Sequence, residues 1–331
     1  MNKEKVFSGS RMVNPAIDWE HGAKVKWITT ILSKGCSIMA ESPDVTSPRV
    51  LNALLQEYGL QPRRRFGQNF LIDGNIAQKI VGAAEIKKNE AVIEVGPGAG
   101  ALTIRLARAG VPVLVLEIDR GLLLLINNLL QPWPHVQVSE GDALRVDWRK
   151  LIDGFAPDRT IKLISNLPYN ISGPFMYSLF ECGFPFAGAV LMFQKEVAGR
   201  LVAKPGDRDY GSLSLLCAYY TEARILFGVS KNVFWPRPKI DSAILRLTPR
   251  RRILEPEEEP ILWELVKTVF RQRRKTMLNG ISTLFPGRRR DFVIEILLSA
   301  GIDPGIRPEE LDAGEFALLT RIIYNNRSKL S

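Results

Sequence analysis

Histidine is nearly missing from this chain, with only His21 and His135 among 331 residues. A histidine-rich metal site or a serine–histidine mechanism therefore has little to work with, and no metal is expected. His135, in "PWPHVQV", reads as a loop-to-strand residue rather than a general base. Cysteine is almost as scarce. Cys36, Cys182 and Cys217 are too few, and too apolar in setting, for a disulfide framework, which fits a reducing cytoplasm. No apolar run reaches the ~18 residues a membrane span needs, so no membrane partner is expected. There is no internal repeat and no extended low-complexity segment.

What is present is length and positive charge. A chain of 331 residues accommodates one large domain and a smaller one, and 46% hydrophobic residues supply a real core. Forty-five Lys and Arg against 35 Asp and Glu leave a net charge of +10, which favours a polyanionic partner.

The first 45 or so residues show no sustained period. We read residues 1–45 as a disordered extension, with Met39 as an alternative start and a targeting role left open. From Pro48 the pattern becomes regular. "PRVLNALLQEYGL" has helical spacing with Gly59 as its stop, and "GNIAQKIVGAAE" is a second helix with Asp73 placed to cap it. Strands and helices then alternate through "AVIEVG", "VPVLVLEID", "LLLLINNLL", "HVQVSEGD", "IKLISN", "GAVLMFQ" and "KEVAGRLVA", which predicts an α/β fold with a parallel sheet covered on both faces. "ARILFGVS" and "DSAILRL" lie close together and suggest an antiparallel pair at one edge. Beyond Arg250 an acidic break, "EPEEEP", precedes helical patterns only, and we place a domain boundary there.

Four strand ends carry chemistry. "EVGPGAG" occupies the first strand-to-helix turn, where its glycines allow the backbone to approach a ligand, but it lacks the third glycine of the dinucleotide fingerprint. The next strand ends in Glu117, positioned to accept from two ribose hydroxyls. The third supplies Asp142, positioned to accept from an adenine amino group. Together they fit a nucleoside without a pyrophosphate: S-adenosylmethionine. The fourth end is "NLPY". An adenine amino nitrogen is a poor nucleophile, and an enzyme that methylates it must accept both its hydrogens while holding the ring flat. Asn166 offers a side-chain oxygen, Pro168 turns the chain so that the Leu167 carbonyl can offer another, and Tyr169 supplies a stacking face.

With these residues in view, "FGQNFL", "EVGPGAGALT", "LEID", "GDAL", "NLPYNIS", "FWPRPKIDSAILRL" and "FRQRRKTMLNG" together resemble the small-subunit ribosomal RNA adenine dimethyltransferases, in the family's order and over residues 48 to 325. The resemblance implies a class I S-adenosylmethionine-dependent methyltransferase domain over 46–250, Rossmann-like with a mostly parallel seven-stranded sheet, and a small all-helical RNA-binding domain over 251–331. It implies two methyl transfers to each of two adjacent adenosines in a hairpin loop near the 3′ end of small-subunit RNA, within a 30S assembly intermediate, by a monomer. Carried over by position, Asn69, Leu71, Gly96, Glu117, Asp142 and Asn166 would contact the cofactor. Phe234 would be the second stacking aromatic, with the target base between it and Tyr169.

The basic clusters at Arg63, Arg64 and Arg65, at Arg271, Arg273, Arg274 and Lys275, and at Arg288, Arg289 and Arg290 read as phosphate contacts. Three other readings compete. A sister enzyme would methylate one large-subunit adenosine, a non-catalytic nucleic-acid-binding factor would reuse the fold, and a nicotinamide dehydrogenase would claim only the glycine turn and Glu117.

Overall fold

Asp73, Asp119 and Asp147, each a few residues beyond a strand, organise much of the chain, because each short acidic side chain caps the helix that follows. The computed structural model describes residues 43–63, 66–272, 274–285 and 289–326, so that most of the expected N-terminal extension, Arg64, Arg65, Arg273 and Arg288 lie outside the described residues. Val45 is 1% exposed and belongs to the core.

Helix α1 (Pro48–Glu57) ends before Gly59, whose φ of 61° reverses the chain. A two-residue strand β1 (Phe70–Leu71) leads to α2 (Gly74–Ala83), where the Asp73 carboxylate accepts from the Asn75 and Ile76 amides. The α/β core then runs β2 (Glu90–Val95), α3 (Thr103–Arg108), β3 (Val113–Glu117), α4 (Arg120–Leu130), β4 (Val136–Glu140), α5 (Trp148–Phe155), β5 (Thr160–Asn166), α6 (Ser172–Glu181), β6 (Gly188–Gln194), α7 (Lys195–Val202) and α8 (Ser212–Tyr220). β7 (Thr221–Val229), the short β8 (Phe234–Trp235) and β9 (Ser242–Pro249) complete the strands. After Pro249 come α9 (Glu259–Arg271), α10 (Met277–Ile281), α11 (Arg290–Ser299) and α12 (Ala313–Asn325), the last held by a reciprocal Asp312–Glu315 capping box.

The seven-stranded sheet has the order β4-β3-β2-β5-β6-β9-β7. Its first five strands are parallel, while β9 pairs antiparallel with β6 and β7 antiparallel with β9, as the edge pair in the sequence suggests. Strands β2 and β3 are buried along their whole length, because helices cover both faces of a parallel sheet. The chain winds outward in opposite directions from β2 and β5, so a crevice opens at their carboxyl ends.

Two helices escape the sequence reading. α5 is only eight residues long, too short for its apolar positions Trp148, Leu151, Ile152 and Phe155 to make a sustained pattern, and α8, "SLSLLCAYY", is apolar nearly all round and shows no 3.6-residue stripe. Helix α8 is buried because α9 packs on it. Trp263 Nε1 donates to the Tyr220 hydroxyl at 3.1 Å, and the Tyr219 and Tyr220 hydroxyls donate to the Glu259 carboxylate at 3.5 and 3.3 Å. One apolar cluster therefore joins Phe175, Leu216 and Tyr220 to Leu262, Val266, Phe316 and Leu319. His135 precedes β4, with Nε2 2.9 Å from the Ala107 carbonyl, in the structural role expected.

Candidate functional site

A cavity of about 260 Å³ opens at the crevice between the ends of β2 and β5. Its walls include Asn69, Leu71, Gly96, Glu117, Asp142, Asn166, Leu167, Pro168 and Tyr169, so nine of the ten residues singled out in the sequence are brought to one place. Phe234 is the exception. It is 2% exposed, faces the apolar core beside Leu71, and does not line the cavity.

The floor is the glycine turn after β2. Gly96 and Gly98 have φ of 64° and 58°, a region that disfavours side chains with a Cβ. A Cβ on Gly96 would lie 3.1 Å from Pro168 Cδ, and one on Gly98 would lie 3.1 Å from Phe70 Cδ1. The glycines thus allow the turn to fit between the "NLPY" loop on one side and Phe70, in the 66–71 segment, on the other.

The carboxylates are arranged around this floor. Glu117 is 5% exposed, and its Oε1 accepts the Ile118 and Asp119 amides, each at 2.8 Å, which fixes the carboxyl at the end of β3. Burial pushes its pKa up to about 7, against those two amides, which pull it down. Glu94, on β2, is 1% exposed and also lines the cavity; burial, with the neighbouring Glu117 charge, pushes its pKa up to about 8. Its Oε2 is buried and has no hydrogen-bond partner among the described residues. Asp142 Oδ1 accepts the Leu144 amide at 3.0 Å, and Oδ2 lies 3.5 Å from Arg145 Nε.

The segment before β1 is latched over the cavity by a residue the sequence reading passed over. Asp119 accepts from Arg63 Nη1 at 3.2 Å and from Gln68 Nε2 at 3.1 Å while also capping α4 through the Gly121 amide at 3.0 Å. Arg63, expected to meet phosphate, is thus engaged in holding the segment. Asn69 turns its amide nitrogen onto the Gly67 carbonyl at 2.9 Å, leaving its oxygen free to point elsewhere.

At the end of β5, the Asn166 side chain and the Leu167 carbonyl take no partner among the described residues. The Tyr169 hydroxyl lies 2.7 Å from Ser242 Oγ at the start of β9. Tyr169 and Phe234 are brought together with centroids 6.5 Å apart, but edge to face, at 71°, rather than as two parallel plates. No base fits flat between rings in that arrangement, so the sandwich expected from the sequence is not preformed. Phe234 is instead locked into β8, which pairs with β1 through Leu71↔Phe234 and Phe70↔Trp235.

Glu94, Asp119, Gln68 and Ser242 are the site residues that sequence reasoning missed. A charged residue inside the apolar run "AVIEV" was the available signal for Glu94. The others had none, since their roles arise from contacts between segments as far as 73 residues apart.

Comparison with known proteins agrees with this geometry. Residues 59–323 match the family described as ribosomal RNA adenine dimethylase. The chain is 43% identical over 288 residues to ribosomal RNA small subunit methyltransferase A of Moorella thermoacetica, covering 85% of this chain and 99% of that one. It is 39% identical over 284 residues to the protein of the same name from Geobacillus kaustophilus, covering 85% and 97%. Among solved structures it resembles a dimethyladenosine transferase from Plasmodium falciparum, with a TM-score of 0.64, 26% identity and coverage of 78% of this chain and 98% of that one. It also resembles the 23S rRNA methyltransferase ErmE, with a TM-score of 0.57, 25% identity and coverage of 77% and 100%. With a crevice at the reversal point of a mostly parallel sheet and a family match across four-fifths of its length, this chain belongs to the ribosomal RNA adenine dimethylase family.

Proposed function

We propose that the protein transfers methyl groups from S-adenosylmethionine to the N6 atoms of two adjacent adenosines, two to each, in the hairpin loop near the 3′ end of small-subunit ribosomal RNA. The observation that carries the reading is the pairing of Asn166 and Leu167. Two oxygen acceptors, without partners among the described residues, sit beside an aromatic ring on the wall of a nucleoside-sized crevice.

The residues present fit the cofactor. S-adenosylmethionine carries an ammonium and a sulfonium, and the buried Glu94 Oε2, which has no hydrogen-bond partner among the described residues, is an acceptor for positive charge inside the cavity. In this reading Glu117 holds the ribose hydroxyls, Asp142 the adenine amino group, and Gly96, Asn69 and Leu71 close around the nucleoside. When bound, the cofactor supplies an already activated methyl group, so the protein's task is positioning.

Asn166 Oδ1 and the Leu167 carbonyl accept the two hydrogens of the target amino group and draw its lone pair out of the ring, towards the donor. Their stabilisation grows as positive charge develops on that nitrogen, which is where an acceptor lowers the barrier. A neutral amide does this without ion-pairing to the sulfonium in the ground state, as an aspartate would. Tyr169, anchored by Ser242, holds the base plane, and a rotation of the Tyr169 or Phe234 ring opens the space for it. Beyond Pro249, Arg271, Arg274, Lys275, Arg289 and Arg290 are all exposed, which suits the phosphates of the same RNA. We read this part as a helical RNA-holding domain, and the enzyme as a cytoplasmic monomer acting on a 30S assembly intermediate without a metal. No helix among the described residues is long and apolar enough to cross a membrane.

The large-subunit alternative has a structural neighbour in ErmE, but the relatives at 39–43% identity are named for the small subunit. The deciding experiment is transfer of radiolabelled methyl groups to undermethylated small subunits, followed by nucleoside analysis and mapping. N6,N6-dimethyladenosine at two adjacent positions is the expected product. Label confined to large-subunit RNA, or no label, would overturn the reading.

A further inference from the structure

Trp235 is an indole in an unusual position, 41% exposed immediately beside a residue that is 2% exposed. Successive side chains on a strand point to opposite faces, so Phe234 and Trp235 leave β8 in opposite directions. Phe234 turns towards Tyr169 and the core. Trp235 turns to the side of Phe70, stacked on it at 6.5 Å between centroids and 20° between planes. Phe70 in turn lines the cavity and packs against the glycine turn at Gly98. The pair forms a lip on the crevice, with one side of the indole left to solvent. The same turn continues through Pro236, Arg237, Pro238 and Lys239, where Arg237 and Lys239 are exposed cations and the prolines restrict the chain.

An exposed tryptophan flanked by cations, on a ribbon hydrogen-bonded to the segment that covers the cavity, is built to receive a planar, anionic ligand. We propose that Trp235 stacks the nucleobase adjoining the target adenosine in the RNA, with Arg237 and Lys239 meeting the phosphates that flank it. The inference rests on the reading of this protein as an RNA methyltransferase and adds to it a second base-binding position. Because Trp235 points away from Phe234 and Tyr169, a base stacked on it is unstacked from the adenosine lying against Tyr169, which is what isolates one adenosine for entry into the crevice. Trp235 is thus a positioning residue, and the reacting atoms lie elsewhere.

The test measures binding of hairpin RNAs carrying two adjacent adenosines in the loop, by fluorescence anisotropy with the full chain, alongside affinity for S-adenosylmethionine. Two further RNAs lack one base each, at the nucleotide on either side of the target. Trp235→Ala is expected to weaken binding of the intact hairpin roughly tenfold, the scale of one lost base–aromatic stack. Trp235→Phe should recover most of the affinity, and cofactor affinity should stay as in the wild type. The tenfold gap should close on one of the two abasic hairpins, where there is no base left to stack.

A gap of equal size on all three RNAs, or a loss that tracks weaker cofactor binding, overturns the proposal and makes Trp235 a cover for Phe70. Failure of the wild type to bind the intact hairpin more tightly than the abasic ones overturns it equally. A wild type that shows the expected binding pattern but no methyl transfer would count against the activity and leave this contact standing.

Discussion

The Tyr169 hydroxyl lies 2.7 Å from Ser242 Oγ, across 73 residues of sequence, and this bond joins the "NLPY" loop to the first residue of β9. It restricts the ring against which the target base is proposed to lie. Ser242→Ala is expected to lower kcat several-fold while leaving cofactor affinity unchanged, with a stability loss of about 1 kcal/mol for the lost hydrogen bond. Steady-state kinetics and a urea titration check both parts. An unchanged kcat would mean that packing alone holds Tyr169.

Asn166→Ala removes an acceptor whose value is greatest in the transition state. A loss of roughly 10²–10³ in kcat is expected, the range seen when one preorganised polar partner of a developing charge is deleted. Cofactor affinity should change much less. Single-turnover methyl transfer with saturating RNA makes the measurement, and near wild-type rates would remove Asn166 from the mechanism.

The two buried carboxylates give a pH dependence with a definite sign. Folding raises Glu117 to about 7 and Glu94 to about 8 from the ordinary 4.5, so the folded protein holds protons that the unfolded chain releases. Their contribution to the stability of the unliganded protein is fully present below pH ~4.5 and is lost as pH rises through 7 to 8. Melting temperatures from pH 5 to 9 should therefore fall less steeply in Glu94→Gln than in the wild type. The cationic cofactor favours the ionised carboxylates, so its binding near pH 7 should release protons. Calorimetry in buffers of different ionisation enthalpy reads that release directly, and proton uptake would contradict the assignment.

Gly67 stands where the covering segment crosses the "NLPY" loop. Its φ is 62°, and a Cβ there would lie 3.3 Å from the Tyr169 amide and 2.5 Å from the Asn170 side-chain oxygen. Gly67→Ala combines a left-handed backbone penalty of about 1–2 kcal/mol with that contact, and should lift the segment. An affinity for S-adenosylmethionine reduced roughly tenfold is expected, since about 1.4 kcal/mol corresponds to that factor. Wild-type affinity in the variant would show that residues 66–71 do not close the site.

Arg271, Arg274 and Lys275 are exposed at the end of α9 and just beyond it. If they meet phosphates, each neutralised cation should flatten the dependence of log K on log salt by about 0.7 to 1, without changing which adenosine is modified. Filter binding between low and moderate salt measures the slope. A slope unchanged in the triple glutamine variant would place the RNA on another face.

The local chemistry of the site was legible in the sequence, because its key residues sit at the ends of apolar strands, and a parallel sheet gathers such ends at one edge. That Gly96, Glu117, Asp142 and Asn166 line one cavity could be read from position alone. Helix α8 could not, since a helix buried on every side has no polar stripe to reveal its period. Nor could the latch at Asp119, the anchor at Ser242 or the edge-to-face setting of Phe234 and Tyr169, each made by segments distant in the chain. Sequence alone determined which atoms are available to accept, donate and stack, since these belong to residue types and to the ends of elements. Tertiary structure decided which of them face each other, because burial, ring orientation and the raised pKa values of Glu94 and Glu117 depend on what surrounds a group and not on its neighbours in the chain.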